Sequence, residues 1–444
     1  MHRLRIAGAL ALALATLAGV PASAAAQGWL SDRDTAQGPG VRIGNFVLHP
    51  GFGIEGGYDT NLFREDNGVT GAALLRMTAH AFLENLRPSL TPSGVEDGAS
   101  ESASGQRRVH FRLGGSASYL VFFEDRADNN LAATGEFLLT YNPEGRLSAT
   151  LENLYTRTVR PFVDATTVDA APSFARNINE TEARFILGSR GRVFQSTLGY
   201  RFRVDFFEDQ VFDYANSFTH RPYLNFSYRF LPQTAVVAET TVRYRTYPSA
   251  AGAPTVLPDG TLLTTRVGLN GALSNRVSFS LVAGYSAGFF DALDDFDSPN
   301  VRAELRWRPR PSLAFATGYD RRFTPSFVGS FVRTDDLYAS VRILAFGSFL
   351  LQSRLSVSFN ETGLAISGTG DALGTQNRRQ DTRVSSTTYT EYRFTDWLAV
   401  TASLNVLVDI TDFQFIEPPD GTVFPDPAGG FVSIEALAGL RVFY

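Results

Sequence analysis

The sequence contains no cysteine and no lysine, and both absences narrow what the chain can be. Without cysteine there is no disulfide framework, no thiol chemistry and no lipoprotein-type anchor. Without lysine, all 40 basic residues are arginines. A GC-rich genome would produce this bias, but arginine is also the residue suited to bidentate contact with carboxylates and phosphates. Past the N-terminal stretch no run of 18 apolar residues occurs, so no helix is expected to span a membrane. Histidine is scarce, at five residues, and there is no Gly-x-Ser-x-Gly elbow, phosphate loop or His/Cys metal spacing. Neither an enzyme nor a metal or other cofactor is expected.

What the chain does have is aromatic residues and glycine: 36 Phe, 16 Tyr and 39 Gly, an unusual load for a soluble protein of this size. It begins with a basic stretch (His2, Arg3, Arg5), an apolar core from Ile6 to Val20, and the small residues Ala22 to Ala26. That order reads as a secretory signal peptide over residues 1–26, cleaved after Ala24 or Ala26, and its apolar core is shorter than the roughly 20 residues of a membrane-spanning helix. Removing Arg3 and Arg5 leaves 38 arginines against 45 acidic residues, a net charge of −7, which argues against nucleic acid as a partner.

The C-terminal segment shows the organising pattern. Val432, Ile434, Ala436, Ala438, Leu440, Val442 and Tyr444 fall on one face, and Ser433, Glu435, Gly439 and Arg441 on the other, with Leu437 and Phe443 as exceptions. A period of two between apolar and polar residues is how a strand behaves between lipid and a wet lumen. Eighteen such segments follow residue 46, near 46–60, 72–85, 108–123, 131–141, 146–157, 180–189, 193–206, 217–230, 234–246, 262–274, 276–290, 300–308, 312–323, 334–345, 348–360, 382–394, 397–410 and 431–444. Most are 9 to 14 residues long, enough for the roughly 9 to 11 that a tilted strand needs to cross a bilayer core. Connections alternate between short turns, such as 142–145 and 346–348, and long segments, such as 157–179 and 411–430. Short periplasmic turns and long extracellular loops belong to outer-membrane barrels.

The expected fold is therefore all-β, a transmembrane antiparallel β-barrel of about 18 strands, with 16 as the alternative. It comprises a periplasmic N-terminal segment at 27–45 and the barrel at 46–444, with a long connection at 86–107 on the periplasmic side. That Ser/Gly-rich connection reads as a tolerated insertion or as a contact arm for a partner. Tyr228, Phe230, Trp307, Tyr392, Phe394, Trp397 and Tyr444 gather beside the short turns, where an interfacial girdle belongs. Leu440, Val442 and Tyr444 end the last strand as the expected signal to the barrel-assembly machinery.

The wet face carries many charges. Arg201, Arg203, Arg221, Arg229, Arg243 and Arg245 crowd the segments between 193 and 246, followed by Arg302 and Arg306, with Asp205, Glu239 and Glu304 interleaved. This pattern is either a self-neutralising network that keeps the barrel rigid or a ladder that guides an anionic or polyhydroxylated solute. His49, His80 and His110 also share the wet face of the first three segments, as scattered polar groups or as a metal or pH-sensing cluster.

The first strand opens with Leu48, His49 and Pro50 and ends in Tyr58, Asp59, Thr60, Asn61, Leu62 and Phe63. A Leu-x-Pro start followed by Tyr-Asp-Ser/Thr-Asn-aliphatic-Phe resembles the opening signature of the β-barrel porin type 2 family, on Tyr58, Asp59, Asn61 and Phe63. That resemblance implies an outer-membrane barrel similar to those of exopolysaccharide and capsule export, with a polysaccharide substrate and a periplasmic polysaccharide-export protein as partner. The alternatives are a general diffusion porin and a structural or adhesive barrel with a closed lumen.

Overall fold

A computed structural model describes residues 38–444 except 65–67, 86–107, 126, 128, 144, 160–174, 190–192, 209–212, 214, 249–258, 291–294, 326–330, 363–378 and 412–429. The expected signal peptide and the connection at 86–107 lie outside the described residues. Among the described residues nineteen strands make up one antiparallel sheet. The first ones are β1 (Val41–Ile43), β2 (Phe46–Asp59), β3 (Ala72–Glu84), β4 (Val109–Phe122), β5 (Asn130–Tyr141) and β6 (Leu147–Thr158). Then come β7 (Arg176–Gly188), β8 (Phe194–Phe207), β9 (Ser217–Leu231), β10 (Thr234–Thr246), β11 (Gly260–Ser274), β12 (Val277–Phe290) and β13 (Phe296–Arg310). The last are β14 (Leu313–Pro325), β15 (Phe331–Ala345), β16 (Phe349–Thr362), β17 (Arg379–Arg393), β18 (Leu398–Thr411) and β19 (Phe431–Phe443).

Each of the eighteen alternating segments falls on one of the strands β2 to β19. Neighbours in sequence pair with one another, and β19 returns to pair with β2 from Glu435 opposite Asp59 to Phe443 opposite Gly51. The ring is closed at 18 strands, so no backbone edge is left inside lipid, where unpaired peptide groups could find no water. β1 is an addition within the stretch expected to precede the barrel. It pairs with Phe46 to Leu48 and covers the edge of β2 below the point where β19 ends.

The outside of the ring is apolar. Leu198, Val267, Leu281, Leu305, Leu337 and Leu440 are exposed on it, and no soluble protein presents a continuous belt of that extent to water. Tyr228, Phe230, Trp307, Tyr392, Phe394, Trp397 and Tyr444 are all exposed near the short-turn end, as an interfacial girdle requires. Tyr58, Phe206, Phe218, Phe289 and Phe359 form the corresponding exposed band towards the other end. The protein is thus a multi-pass β-barrel of the Gram-negative outer membrane, with its short turns periplasmic. One of those turns, at Phe346 and Gly347, has φ values of 57° and 68°. Two successive positive φ values twist the chain as a tight hairpin needs.

The residues between Tyr58 and Phe63 secure the extracellular end of the seam. Asp59 accepts hydrogen bonds from the Asn61 amide (3.0 Å) and the Ser433 hydroxyl (3.1 Å), while the Asn61 side chain donates to the Val432 carbonyl (3.2 Å). Tyr58 points outward, and Phe63 packs inward in a small cluster with Leu62 and Ala72. Phe443, an exception to the alternation, is buried under two guanidiniums at the periplasmic end, with Arg393 4.5 Å and Arg441 5.6 Å from its ring. An aromatic face attracts a cation held over it, which keeps an apolar ring acceptable on a polar wall.

Candidate functional site

Strand pleating sends alternate side chains into the lumen, and pairing register sets their height. On β8, β9 and β10 this places arginines level with arginines. Arg201 pairs directly with Arg221. Arg243 falls opposite Arg221, in the interval between the pairs Thr241 with Tyr223 and Tyr244 with His220. One step towards the extracellular end, Thr219 separates Arg203 from Arg245. Like charges directly opposite on neighbouring strands are destabilising, so these rows work against folding.

Some of this charge is neutralised locally. Glu182 accepts from Arg201 and from the Tyr223 hydroxyl (2.5 Å), and Glu180 lies 3.1 Å from Arg201. The Tyr223 ring fills the space above Gly199, where an added Cβ would meet it at 2.1 Å. Asp205 is buried between Arg176 and Arg203 and bonds both. Arg221 and Arg243, both half-buried, have no hydrogen-bond partner and no carboxylate within 4.0 Å among the described residues, although Glu180 and Glu182 lie near enough to Arg221 to act on it through space, and the Nε atoms of Arg203 and Arg221 are buried without an acceptor.

These side chains line a cavity of about 330 Å³ in the extracellular part of the lumen, which seven arginines share with Glu180 and three threonines. Arg322, Thr324 and Thr334 reach it from β14 and β15, so the cavity is enclosed from two sides of the ring. A second cavity, of about 420 Å³, shares Arg201, Arg221, Arg243 and Arg322 and adds Glu239, Arg266, Arg302 and Asp320. Here opposite charges meet across the lumen: Arg302 is 2.9 Å from Glu239 and Arg266 is 3.8 Å from Asp320. A third, of about 1180 Å³, lies towards the periplasmic end and holds Arg306, Arg308, Arg342 and Arg354 with Glu304. Along β13 alone, Arg302, Arg306 and Arg308 step from the second cavity into the third.

Of the residues expected to line the solute path, Arg201, Arg203, Arg221, Arg243 and Arg245 are brought together in one cavity, with Asp205 behind them. Arg302 and Glu239 form the adjoining one, and Arg306 and Glu304 pair at 2.5 Å in the third. Arg229 stands apart, exposed near the periplasmic end of β9. Arg176 and Arg322 belong to the cavity and were not singled out from sequence. Arg176 precedes the segment expected at 180–189, and the adjacent Arg321 and Arg322 hide which of the two faces inward until the alternation from Gly318 and Asp320 is followed.

The three wet-face histidines are not gathered. His80 lies opposite Gly51, two residues from His49, and opposite Ser116, six residues along β4 from His110. His49 is instead buried with its Nε2 3.3 Å from Glu84. Among the described residues no three His, Cys, Asp or Glu side chains converge as metal ligands would.

No protein-family model matches this sequence, and no curated protein matches it either. Among solved structures it is similar to the FrpB iron transporter of Neisseria meningitidis (F3-3 variant), at 9% identity over 95% of this chain and 83% of that one, with a TM-score of 0.45. It is also similar to OccAB4 of Acinetobacter baumannii, at 9% identity over 93% of this chain and 100% of that one, with a TM-score of 0.42. A third is the outer membrane protein opdK of Pseudomonas aeruginosa, at 8% identity over 89% and 99%, with a TM-score of 0.44. At this level of similarity no function passes from those proteins to this chain.

Proposed function

We propose that the barrel is a passive conduit for export of an acidic exopolysaccharide across the outer membrane. The observation that carries this reading is the succession of arginine-lined cavities from Arg306 and Arg308 near the periplasmic end to Arg221 and Arg243 near the extracellular one. A chain that is acidic overall lines these cavities with arginine, and such a lining raises the local concentration of anions and guides them along the wall. The motif at Tyr58 to Phe63 and its resemblance to the β-barrel porin type 2 family support the polysaccharide class. In this reading residues 1–26 direct secretion, the strand ending in Leu440, Val442 and Tyr444 is recognised by the barrel-assembly machinery, and the connection at 86–107 meets a periplasmic export protein.

The volumes of the two upper cavities favour a second reading, a porin for small acidic solutes, because each is the size of a single-unit ligand site. Deleting the gene and restoring it with wild type or with Arg201, Arg203, Arg243 and Arg245 all changed to Gln separates the two. Export of surface polymer should disappear on deletion, return with wild type and remain low with the variant. Normal polymer on deletion, with slower uptake of small uronic acids, would sink the export reading and favour the porin.

A further inference from the structure

Two features of the upper cavity go beyond a general positive lining. The first is chemical. Arg221 and Arg243 sit level on neighbouring strands with no hydrogen-bonding partner and no carboxylate within 4.0 Å among the described residues, although carboxylates bond Arg201 and Arg203 beside them. Each guanidinium offers a planar fork of N–H donors matched to an oxyanion, and no side chain within hydrogen-bond distance uses those donors. The second is the remaining lining. Thr219, Thr324 and Thr334 bring hydroxyls from both sides of the ring: Thr219, which accepts from Arg245, can still donate to a sugar hydroxyl, Thr334, which donates to Asn360, can still accept from one, and Thr324 can do either. At about 330 Å³ the space is at the small end of the roughly 300–1,000 Å³ usual for ligand pockets.

We infer that Arg221 and Arg243 form a two-guanidinium binding site for the oxyanion of one acidic sugar unit, whose hydroxyl groups meet Thr219, Thr324 and Thr334. The carboxylate of Glu180 does not oppose the anion, because Arg201 holds it at 3.1 Å. The oxyanion is a carboxylate, a sulfate or a phosphate ester, since two guanidiniums recognise all three. The inference deepens the conduit reading by naming the unit that rests on the wall, and it rests on that reading for its biological setting.

The test uses the purified full barrel in detergent micelles, with glucuronate, glucose 6-sulfate, glucose 6-phosphate, glucose and inorganic phosphate titrated separately and followed by saturation-transfer NMR. At least one of the three sugar acids should bind saturably and more tightly than either glucose or inorganic phosphate. The binding should weaken about tenfold or more in Arg221→Gln and in Arg243→Gln. Arg243→Lys keeps the charge but loses the fork, so it should fall between wild type and Arg243→Gln. Arg229→Gln, outside the cavity, should bind as wild type does. Heat-dependent gel migration reports whether each variant is folded, and the single changes suffice if the double one does not assemble. The site is overturned if no sugar acid binds saturably, if glucose or inorganic phosphate binds as well, or if both Gln variants bind like wild type. Export by cells measures the other reading separately. A barrel that binds but does not export overturns the conduit alone, and one that exports without binding overturns the site alone.

Discussion

On the seam side of the ring, from β17 round to β3, arginines face carboxylates; from β8 to β10, arginines face arginines. Glu391 and Arg393 are both fully buried, 2.6 Å apart, and Arg441 meets the other oxygen of Glu391 at 2.9 Å. Near the extracellular end of β17 Arg383 pairs with Asp409 at 2.6 Å, and on β3 Arg76 pairs with Glu55 at 2.7 Å, while Thr401 donates to Glu55 at 3.1 Å. The seam joins the two ends of the barrel, distant in sequence, and these charges stand in ion pairs. The opposite wall uses the same residue type at the same inward positions and leaves part of it unmatched. Arginine in the lumen therefore stands in two settings, which neighbouring carboxylates distinguish: ion-paired at the seam, and without an ion pair at Arg221 and Arg243, where the proposed conduit would meet its solute.

The largest expected effect is at the seam. Glu391→Gln removes the counter-charge of two guanidiniums and should lower stability by about 3–5 kcal/mol, read as a lower urea midpoint for unfolding from lipid vesicles. Phe443→Ala should cost a similar amount, about 3–5 kcal/mol, because it opens a space beneath Arg393 and Arg441. An unchanged midpoint in either variant would mean that the seam network does not hold the barrel closed.

The arginine wall should respond with the opposite sign. Arg221→Gln or Arg243→Gln relieves a cross-strand repulsion, so stability should stay level or rise by up to about 1 kcal/mol. A fall of the size expected for Glu391→Gln would show that the two walls are alike and that the unmatched arginines are structural after all.

The smallest effect is expected outside both walls, at the extracellular rim. Hydrogen bonds from Arg157 hold the Glu208 carboxyl at about 2, below its ordinary 4.5. A carboxyl depressed by folding contributes stability above its unfolded value, and that contribution is lost as the pH falls from 4.5 towards 2. Glu208 is well exposed, so solvent screening keeps the contribution small. The urea midpoints of wild type and Glu208→Gln should differ slightly at pH 6 and converge near pH 2. A gap that persists at low pH would remove the ion pair as its cause.

The fold was legible in the sequence because lipid outside and water inside enforce a period of two along each strand. The short turns fixed the pairing of neighbours, and the girdle residues fixed the ends. What could not be read was height. Parity placed Arg201, Arg221 and Arg243 on the inner face, but only register makes them level, and register separates His110 from His80. Contacts across the lumen were equally hidden. Nothing local in the sequence brings Arg322 and Thr334 to the cavity formed by β8 to β10, or sets Arg302 beside Glu239. The closing pair of strands was visible only as a pattern of residues, whereas β1, three residues long, was too short to show any periodicity.

The contrast between the walls is tested most directly by charge-selective labelling, for which a chain without cysteine is well suited. Thr241→Cys introduces a thiol into the cavity that Arg221 and Arg243 share, and Asn405→Cys introduces one beside Glu435 on the seam side. Each leaves the arginines in place and can be treated with an anionic sulfonate-bearing and a cationic ammonium-bearing methanethiosulfonate. At position 241 the anionic reagent should react roughly tenfold or more faster than the cationic one, with the preference shrinking in high salt. At position 405 the preference should be absent or reversed. Equal rates at both positions, or faster cationic labelling at 241, would contradict the claim that this wall is arranged to receive an anion.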